Sequence, residues 1–261
     1  MRDFEWNDVL RLPDAALVGD RRIPKTVLTR QAQLSKAEQK VLDRVGILAH
    51  FATVQKSTTR IPPAVDDEHD IQSVLFLRCE LSRGAAYDEV ARLVHKCFPS
   101  PTVILFGGEG EACVSVATTR KSLAEQGATV VDSIEPTGAF DPGDAAYAPF
   151  LEALAFEWLP QADLLAYLRG IAWNVRLSRA VPSLGFYPTC AEGDQERLDG
   201  LLARRDLLAV QVADMRQRRR DRGLTLNESA KLRMALKGLE KELDGADEEI
   251  TALCCKTEVQ Q

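Results

Sequence analysis

Thr102-Val103-Ile104-Leu105-Phe106-Gly107-Gly108-Glu109-Gly110-Glu111-Ala112-Cys113-Val114-Ser115-Val116-Ala117-Thr118 decides the fold. It reads as two apolar runs joined by a glycine-rich turn, which is the pattern of a β-hairpin. An antiparallel connection at this point argues against a doubly wound parallel sheet. Working outward, Ile71 to Leu81 reads as a strand, with Val74 and Phe76 in period-two alternation. Between that strand and the hairpin lies a helical pattern from about Ala85 to Cys97, with Val90, Leu93 and Val94 on one face, stopped by Pro99 and Pro101. Ile47 to Val54 and Ala128 to Ile134 read as further strands. One helix among five strands predicts an α+β fold: a mixed, mainly antiparallel sheet with helices on one face.

Upstream, Ser35-Lys36-Ala37-Glu38 is a capping box that starts a helix carrying Val41, Leu42 and Val45. The first thirty residues, punctuated by Pro13 and Pro24, read as irregular, with a basic cast from Arg21, Arg22, Lys25 and Arg30. The stretch from Arg60-Ile61-Pro62-Pro63 through Asp66-Asp67-Glu68-His69-Asp70 reads as loop. Downstream, Pro160 marks a helix start, and Leu164, Leu165, Leu168, Ile171, Ala172 and Val175 form its apolar face.

The clearest periodicity begins near Asp194. Leu198, Leu201, Arg205, Leu208, Val212 and Met215 step by three and four, and so do Leu232, Leu236, Leu239, Leu243, Ala246 and Ile250. These are heptad seams. Asp221-Arg222-Gly223 stops the first and the capping box Thr225-Leu226-Asn227-Glu228 starts the second, which predicts a C-terminal antiparallel helical hairpin, a coiled coil. The expected organisation is an α/β body over 1–143, a helical connector over 144–190, the hairpin over 191–253 and a tail over 254–261.

Charge is uneven along the hairpin. Arg216, Arg218, Arg219, Arg220 and Arg222 crowd the turn, facing Asn227, Glu228, Lys231 and Arg233, while Arg204 and Arg205 stand opposite Glu240 and Glu242. The tip is therefore expected to be basic and unpaired, a surface that a phosphate backbone or an acidic protein face would relieve. A solvated tip with no ligand is the plain alternative. Arg120-Lys121, two cations at the end of the hairpin strand, form a second candidate anion contact.

The chain has 261 residues, 45% hydrophobic and 28% charged, which excludes wholesale disorder. Its net charge of -6 argues against a protein that coats nucleic acid along its whole length. No apolar run approaches a membrane span and the first residues lack a signal-peptide pattern. None of the six cysteines makes a CxxC pair, and Cys79, Cys97 and Cys113 fall in apolar patterns, so a reducing cytoplasm is expected.

No phosphate-loop, GxSxG or HExxH motif occurs. His50, His69 and His95 are scattered and read as structural. A nuclease core would need an acid followed by acid-x-Lys, and its nearest candidate, Asp70 with Glu80-Leu81-Ser82, has serine where lysine is required. Catalytic residues, metal and cofactor are therefore expected to be none.

The order of these segments resembles a bacterial and archaeal domain-of-unknown-function family, number 4391. The resemblance is carried by the Ile-Pro turn after Ile47–Val54, by Tyr87-Asp88-Glu89-Val90-Ala91-Arg92-Leu93-Val94, by Phe98-Pro99-Ser100-Pro101 into Thr102–Phe106, by Val114-Ser115-Val116-Ala117-Thr118-Thr119-Arg120-Lys121, and by the long charged hairpin. Thr119 stands where the family has tyrosine, and Arg120-Lys121 reverses its basic pair. Genes of the family often neighbour helicases and DNA methyltransferases in operons that look like phage-defence or restriction systems. The resemblance thus implies a non-catalytic adaptor docking a helicase-like or methyltransferase-like partner, with DNA at the basic tip. A coiled-coil homodimer without nucleic acid and a divergent metal-dependent nuclease are the alternatives.

Overall fold

The computed structural model describes residues 4–82, 86–98, 100–108, 110–124, 128–220 and 225–255. The chain divides into two units, Met1–Arg179 and Ala180–Gln261.

In the first unit the elements run α1 (Trp6–Leu10), β1 (Leu17–Arg22), α2 (Lys25–Gln31), α3 (Lys36–Asp43), β2 (Val45–Gln55), α4 (Lys56–Thr59), β3 (Ala64–Val65), β4 (Asp70–Ile71), β5 (Ser73–Leu81), α5 (Tyr87–Cys97), β6 (Thr102–Gly108), β7 (Glu111–Lys121), β8 (Thr129–Pro136), α6 (Ala148–Ala153) and α7 (Leu164–Ser178). Six strands form one sheet in the order β1-β2-β5-β6-β7-β8. Only β5 and β6 run parallel, joined by α5; every other neighbouring pair is antiparallel. The α+β class and the mixed, mainly antiparallel sheet are as expected. The hairpin pivots where the glycines stand: Gly108 pairs with Glu111, and Gly108 and Gly110 take φ values of 157° and 90°, which side chains disfavour.

Helices cover both faces of the sheet, where one was expected. On one face, Leu77, Cys79, Ile104, Phe106 and Cys113 pack with Val90, Leu93, Val94 and Cys97 of α5. Phe76, Val103, Leu105, Val114 and Val116 alternate to the other face, which α7 approaches along β5, β7 and β8. Arg179, just past α7, binds Glu135 at 3.1 Å, and Glu135 is the cross-strand neighbour of Val116. The reason lies in β6 and β7, whose residues are buried without alternation from Thr102 to Phe106 and from Ala112 to Ala117. Strands apolar on both sides need two covers, and each large apolar side chain so buried contributes about 1.5–3 kcal/mol.

Three local expectations change. The first thirty residues are not irregular: α1 and α2 flank β1, which pairs with β2 at the sheet edge. Its alternation is broken by Gly19 and Asp20, at φ 73° and 53°, where the register shifts between Leu17 and Arg21. The acidic run is the turn of a small β3–β4 hairpin, with the Asp66 carboxylate accepting from the backbone N–H groups of Glu68 (2.8 Å) and His69 (2.6 Å). Pro160 does not begin a helix. Asp163 caps α7 by accepting from the Ala166 N–H at 2.8 Å. Pro160 instead lies so close to Gly170 that a Cβ there would fall 2.6 Å from its ring.

The second unit holds α8 (Val181–Leu184), α9 (Gln195–Arg218) and α10 (Leu226–Cys255). The last two form the expected antiparallel hairpin, closed by Leu198, Leu201, Leu208 and Val212 on α9 and by Leu236, Ala246, Ile250 and Leu253 on α10. Among the described residues no helix is long and apolar enough to cross a membrane, and Cys79, Cys97, Cys113 and Cys190 are free thiols.

Candidate nucleic-acid interface at the hairpin tip

Three ion pairs set the register of the hairpin. Arg216 binds Glu240 at 2.8 Å, Arg205 binds Asp247 at 3.0 Å and Arg204 binds Glu249 at 3.4 Å. Arg204 and Arg205 thus lie opposite Asp247 and Glu249, not Glu240 and Glu242 as expected. The helices are staggered. The level of Met215 corresponds to Gly238 and Leu239, with which it shares a groove, so residues 226–235 of α10 stand past the end of α9. Ten residues at 1.5 Å each make an overhang of roughly 15 Å. Counting symmetrically back from the turn misses this, because it assumes that the two helices end level with each other.

The start of α10 is held by the capping box seen in sequence. The Glu228 N–H donates to the Thr225 hydroxyl at 3.3 Å, and the Thr225 N–H donates to the Glu228 carboxylate at 2.9 Å. Hydrogen bonds from the Thr225 hydroxyl and N–H hold the Glu228 pKa below the usual carboxylate range, so the cap is ionised at neutral pH.

The tip arginines divide into two classes. Arg216 pairs with Glu240, and Arg218 pairs with Asp214 one turn back at 3.0 Å. All four side chains are well exposed, and such pairs contribute only about 0–1 kcal/mol. Arg219 and Arg220 are exposed and have no carboxylate partner among the described residues. Arg222 and the stop Asp221-Arg222-Gly223 lie outside the described residues. Arg216, Arg219 and Arg220 line a surface pocket of ≈ 280 Å³ together with Leu236 and Glu240. Lys231 and Arg233 are exposed on the overhang. The guanidinium groups also sit at the C-terminal end of α9, where the helix dipole favours cations; that accounts for arginine there without any ligand. A guanidinium presents a planar fork of donors suited to phosphate oxygens; in this pocket that of Arg216 is engaged by Glu240.

Arg120 and Lys121 do not converge on one anion. Successive residues of β7 point to opposite faces. Arg120 turns to Asp132 at 3.2 Å and to the Lys121 carbonyl at 3.3 Å, while the Lys121 ammonium donates to the Asp66 carbonyl at 2.5 Å. Lys121 thus pins the β3–β4 turn to the sheet. Both belong to the sheet unit, not to the hairpin.

The remaining candidates are also dispersed. Asp70 lies just before β5 and Glu80 near its far end, so about 23 Å of strand rise separates Ser73 from Glu80. No nuclease pair forms there. His50 binds the Thr53 hydroxyl (2.7 Å), His69 binds Asp66 (3.0 Å) and His95 binds the Ser115 hydroxyl (3.0 Å), each in a different element. No group of three His, Cys, Asp or Glu side chains suited to a metal ion occurs among the described residues.

The heptad reading missed a second feature of α9: Leu207 and Val210 are 60% and 66% exposed. Their spacing was visible but was overshadowed by the stronger seam on the opposite side of the helix.

Against known proteins, the family model for a domain of unknown function, DUF4391, matches residues 10–243. No curated protein and no solved structure matches the chain.

Proposed function

We propose, for a chain that belongs to the DUF4391 domain-of-unknown-function family, that it is a non-catalytic adaptor whose hairpin tip holds a nucleic-acid phosphate backbone while the rest of the chain docks a helicase-like or methyltransferase-like partner of a defence or restriction-like system. The observation that carries the reading is the tip itself: Arg219 and Arg220, without carboxylate partners among the described residues, share a pocket with Arg216 at the end of a staggered hairpin. Exposed Arg218, Lys231 and Arg233 extend the positive surface. Such a patch binds phosphates through counterion release, which tolerates any sequence and weakens with salt. It is local, which reconciles it with the net charge of -6.

The test is binding of duplex and single-stranded DNA by the full chain at low and moderate salt. About four phosphate contacts predict a loss of roughly a hundredfold in affinity between 50 and 200 mM salt. Changing Arg216, Arg218, Arg219, Arg220 and Arg222 together to Gln abolishes that dependence. Binding that the variant retains, or no binding by the wild type at low salt, overturns the nucleic-acid contact. The adaptor part is tested by co-expression with the neighbouring helicase or methyltransferase: the reading requires co-purification, and recovery of the chain alone rejects it.

A further inference from the structure

We infer, resting on the nucleic-acid contact proposed for the tip, that Glu240 is an internal competitor for the anion bound there. It occupies the donors of Arg216 that a phosphate would use, and so sets how tightly the tip binds. The pocket is built from two short helical repeats. Arg216, Arg219 and Arg220 stand at i, i+3 and i+4, which brings them to one face at the end of α9. The helical turn continues past Arg218, because the Arg219 N–H donates to the Met215 carbonyl and the Arg220 N–H to the Gln217 carbonyl, both at 3.0 Å. From α10 come Leu236 and Glu240, at i and i+4. Leu236 is buried and makes its side of the pocket apolar. Among the described residues that line the pocket, Glu240 alone carries a negative charge.

Glu240 sits as a bound anion would. One of its oxygens, Oε1, accepts from Arg216 Nε at 3.3 Å and from Arg216 Nη2 at 2.8 Å. Those two donors form an edge of the guanidinium suited to a phosphate oxygen. Arg216 cannot offer that edge to Glu240 and to a nucleic acid at once. Arg219 and Arg220 are exposed and have no carboxylate partner among the described residues. The pocket thus holds two arginines ready for a phosphate and a third that must first be released.

Release asks little of the fold. The Arg216 and Glu240 side chains are 61% and 39% exposed, and an ion pair so open to water contributes little to stability. The register does not depend on it alone, because Arg205 with Asp247 and Arg204 with Glu249 hold the same stagger farther along the hairpin. Exchanging the Glu240 carboxylate for a phosphate therefore leaves the two helices in place. With the carboxylate still in the pocket, its charge opposes the incoming phosphate while Arg216 stays withheld.

The test is binding of a labelled mixed-sequence DNA duplex by the full chain, read by fluorescence anisotropy across a salt series. Wild type is compared with Glu240→Gln, with Arg216→Gln and with the double variant. Glu240→Gln keeps the side-chain length and removes the charge. It is expected to tighten binding on the order of tenfold and to steepen the dependence of log affinity on log salt by about one, as one more phosphate contact does. With Arg216→Gln already in place, Glu240→Gln is expected to leave that slope unchanged, because no guanidinium remains to be released. Helicity by circular dichroism is expected to stay at the wild-type level in every variant. The same tightening and the same slope change in both backgrounds would make Glu240 one more negative charge near DNA and overturn the inference. Unchanged or weaker binding by Glu240→Gln, or loss of its helicity, would overturn it too, while wild-type binding leaves the nucleic-acid contact standing. No binding by wild type or any variant at low salt would remove that contact, and the competitor with it.

Discussion

The sheet unit and the hairpin each bury a basic side chain, and they keep it there in opposite ways. His95 is fully buried on α5, its Nε2 3.0 Å from the Ser115 hydroxyl and its Nδ1 without a partner. Burial pushes its pKa down to about 3, so it is neutral at physiological pH and behaves as a polar core residue. Arg205 is 8% exposed in the α9 seam and cannot shed its proton. It stays charged and is therefore surrounded: Asp247 at 3.0 Å, Asp206 at 3.3 Å and the Ser183 hydroxyl all accept from it. A group that can neutralise is buried on its own, whereas one that cannot must bring its counterion. The second solution also fixes geometry, because a polar residue in a seam tolerates only the register that satisfies it.

The largest expected effect tests that pairing. Asp247→Ala leaves Arg205 buried beside one carboxylate and is expected to destabilise the hairpin by about 3 kcal/mol, read from urea unfolding. Replacing both together, Arg205→Met with Asp247→Leu, is expected to be neutral or stabilising by about 1 kcal/mol. A small cost for Asp247→Ala alone would show that water reaches the guanidinium and would dissolve the contrast with His95.

The next effect appears in acid. The folded-state pKa of His95 lies below its unfolded value of 6.5, so the unfolded chain binds the extra proton between these values. Stability is full above about pH 6.5 and falls as pH drops toward about 3, by up to about 1.4 kcal/mol per pH unit. His95→Gln is expected to remove that part of the acid slope. Parallel slopes for variant and wild type would assign the acid sensitivity to other groups.

Smaller effects belong to the helix starts. Ser35→Ala and Thr225→Ala each remove a hydroxyl that accepts an N–H at 3.3 Å within a capping box, at a cost of about 1 kcal/mol. If Thr225→Ala costs nothing while Ser35→Ala costs its full amount, the start of α10 frays independently of the seam. The smallest effect is that of Leu207→Glu on the folding of a single chain, expected within about 0.5 kcal/mol.

Much of the architecture was readable in residues 45–134 and 195–255. The apolar runs around Gly107–Gly110 and the hairpin seams are long and strongly periodic, so local pattern and final environment agree there. The edge strand β1 was not readable, because the bulge at Gly19-Asp20 destroys its alternation. The tip was read correctly as arginine-rich, but which arginines lack carboxylate partners was not. That turned on the stagger that places Glu240 beside Arg216. Arg120 and Lys121 show the same limit, since adjacency in sequence places them on opposite faces of a strand.

By itself, then, the sequence determined the class of the fold and the existence of a helical hairpin with a basic turn, because hydrophobic periodicity and capping residues act over a few neighbouring positions. Tertiary structure alone decided that helices cover both sheet faces, that Arg205 is held by Asp247, and that Leu207 and Val210 remain uncovered. Those outcomes depend on the registers between segments far apart in the chain, where a shift of one turn exchanges every partner.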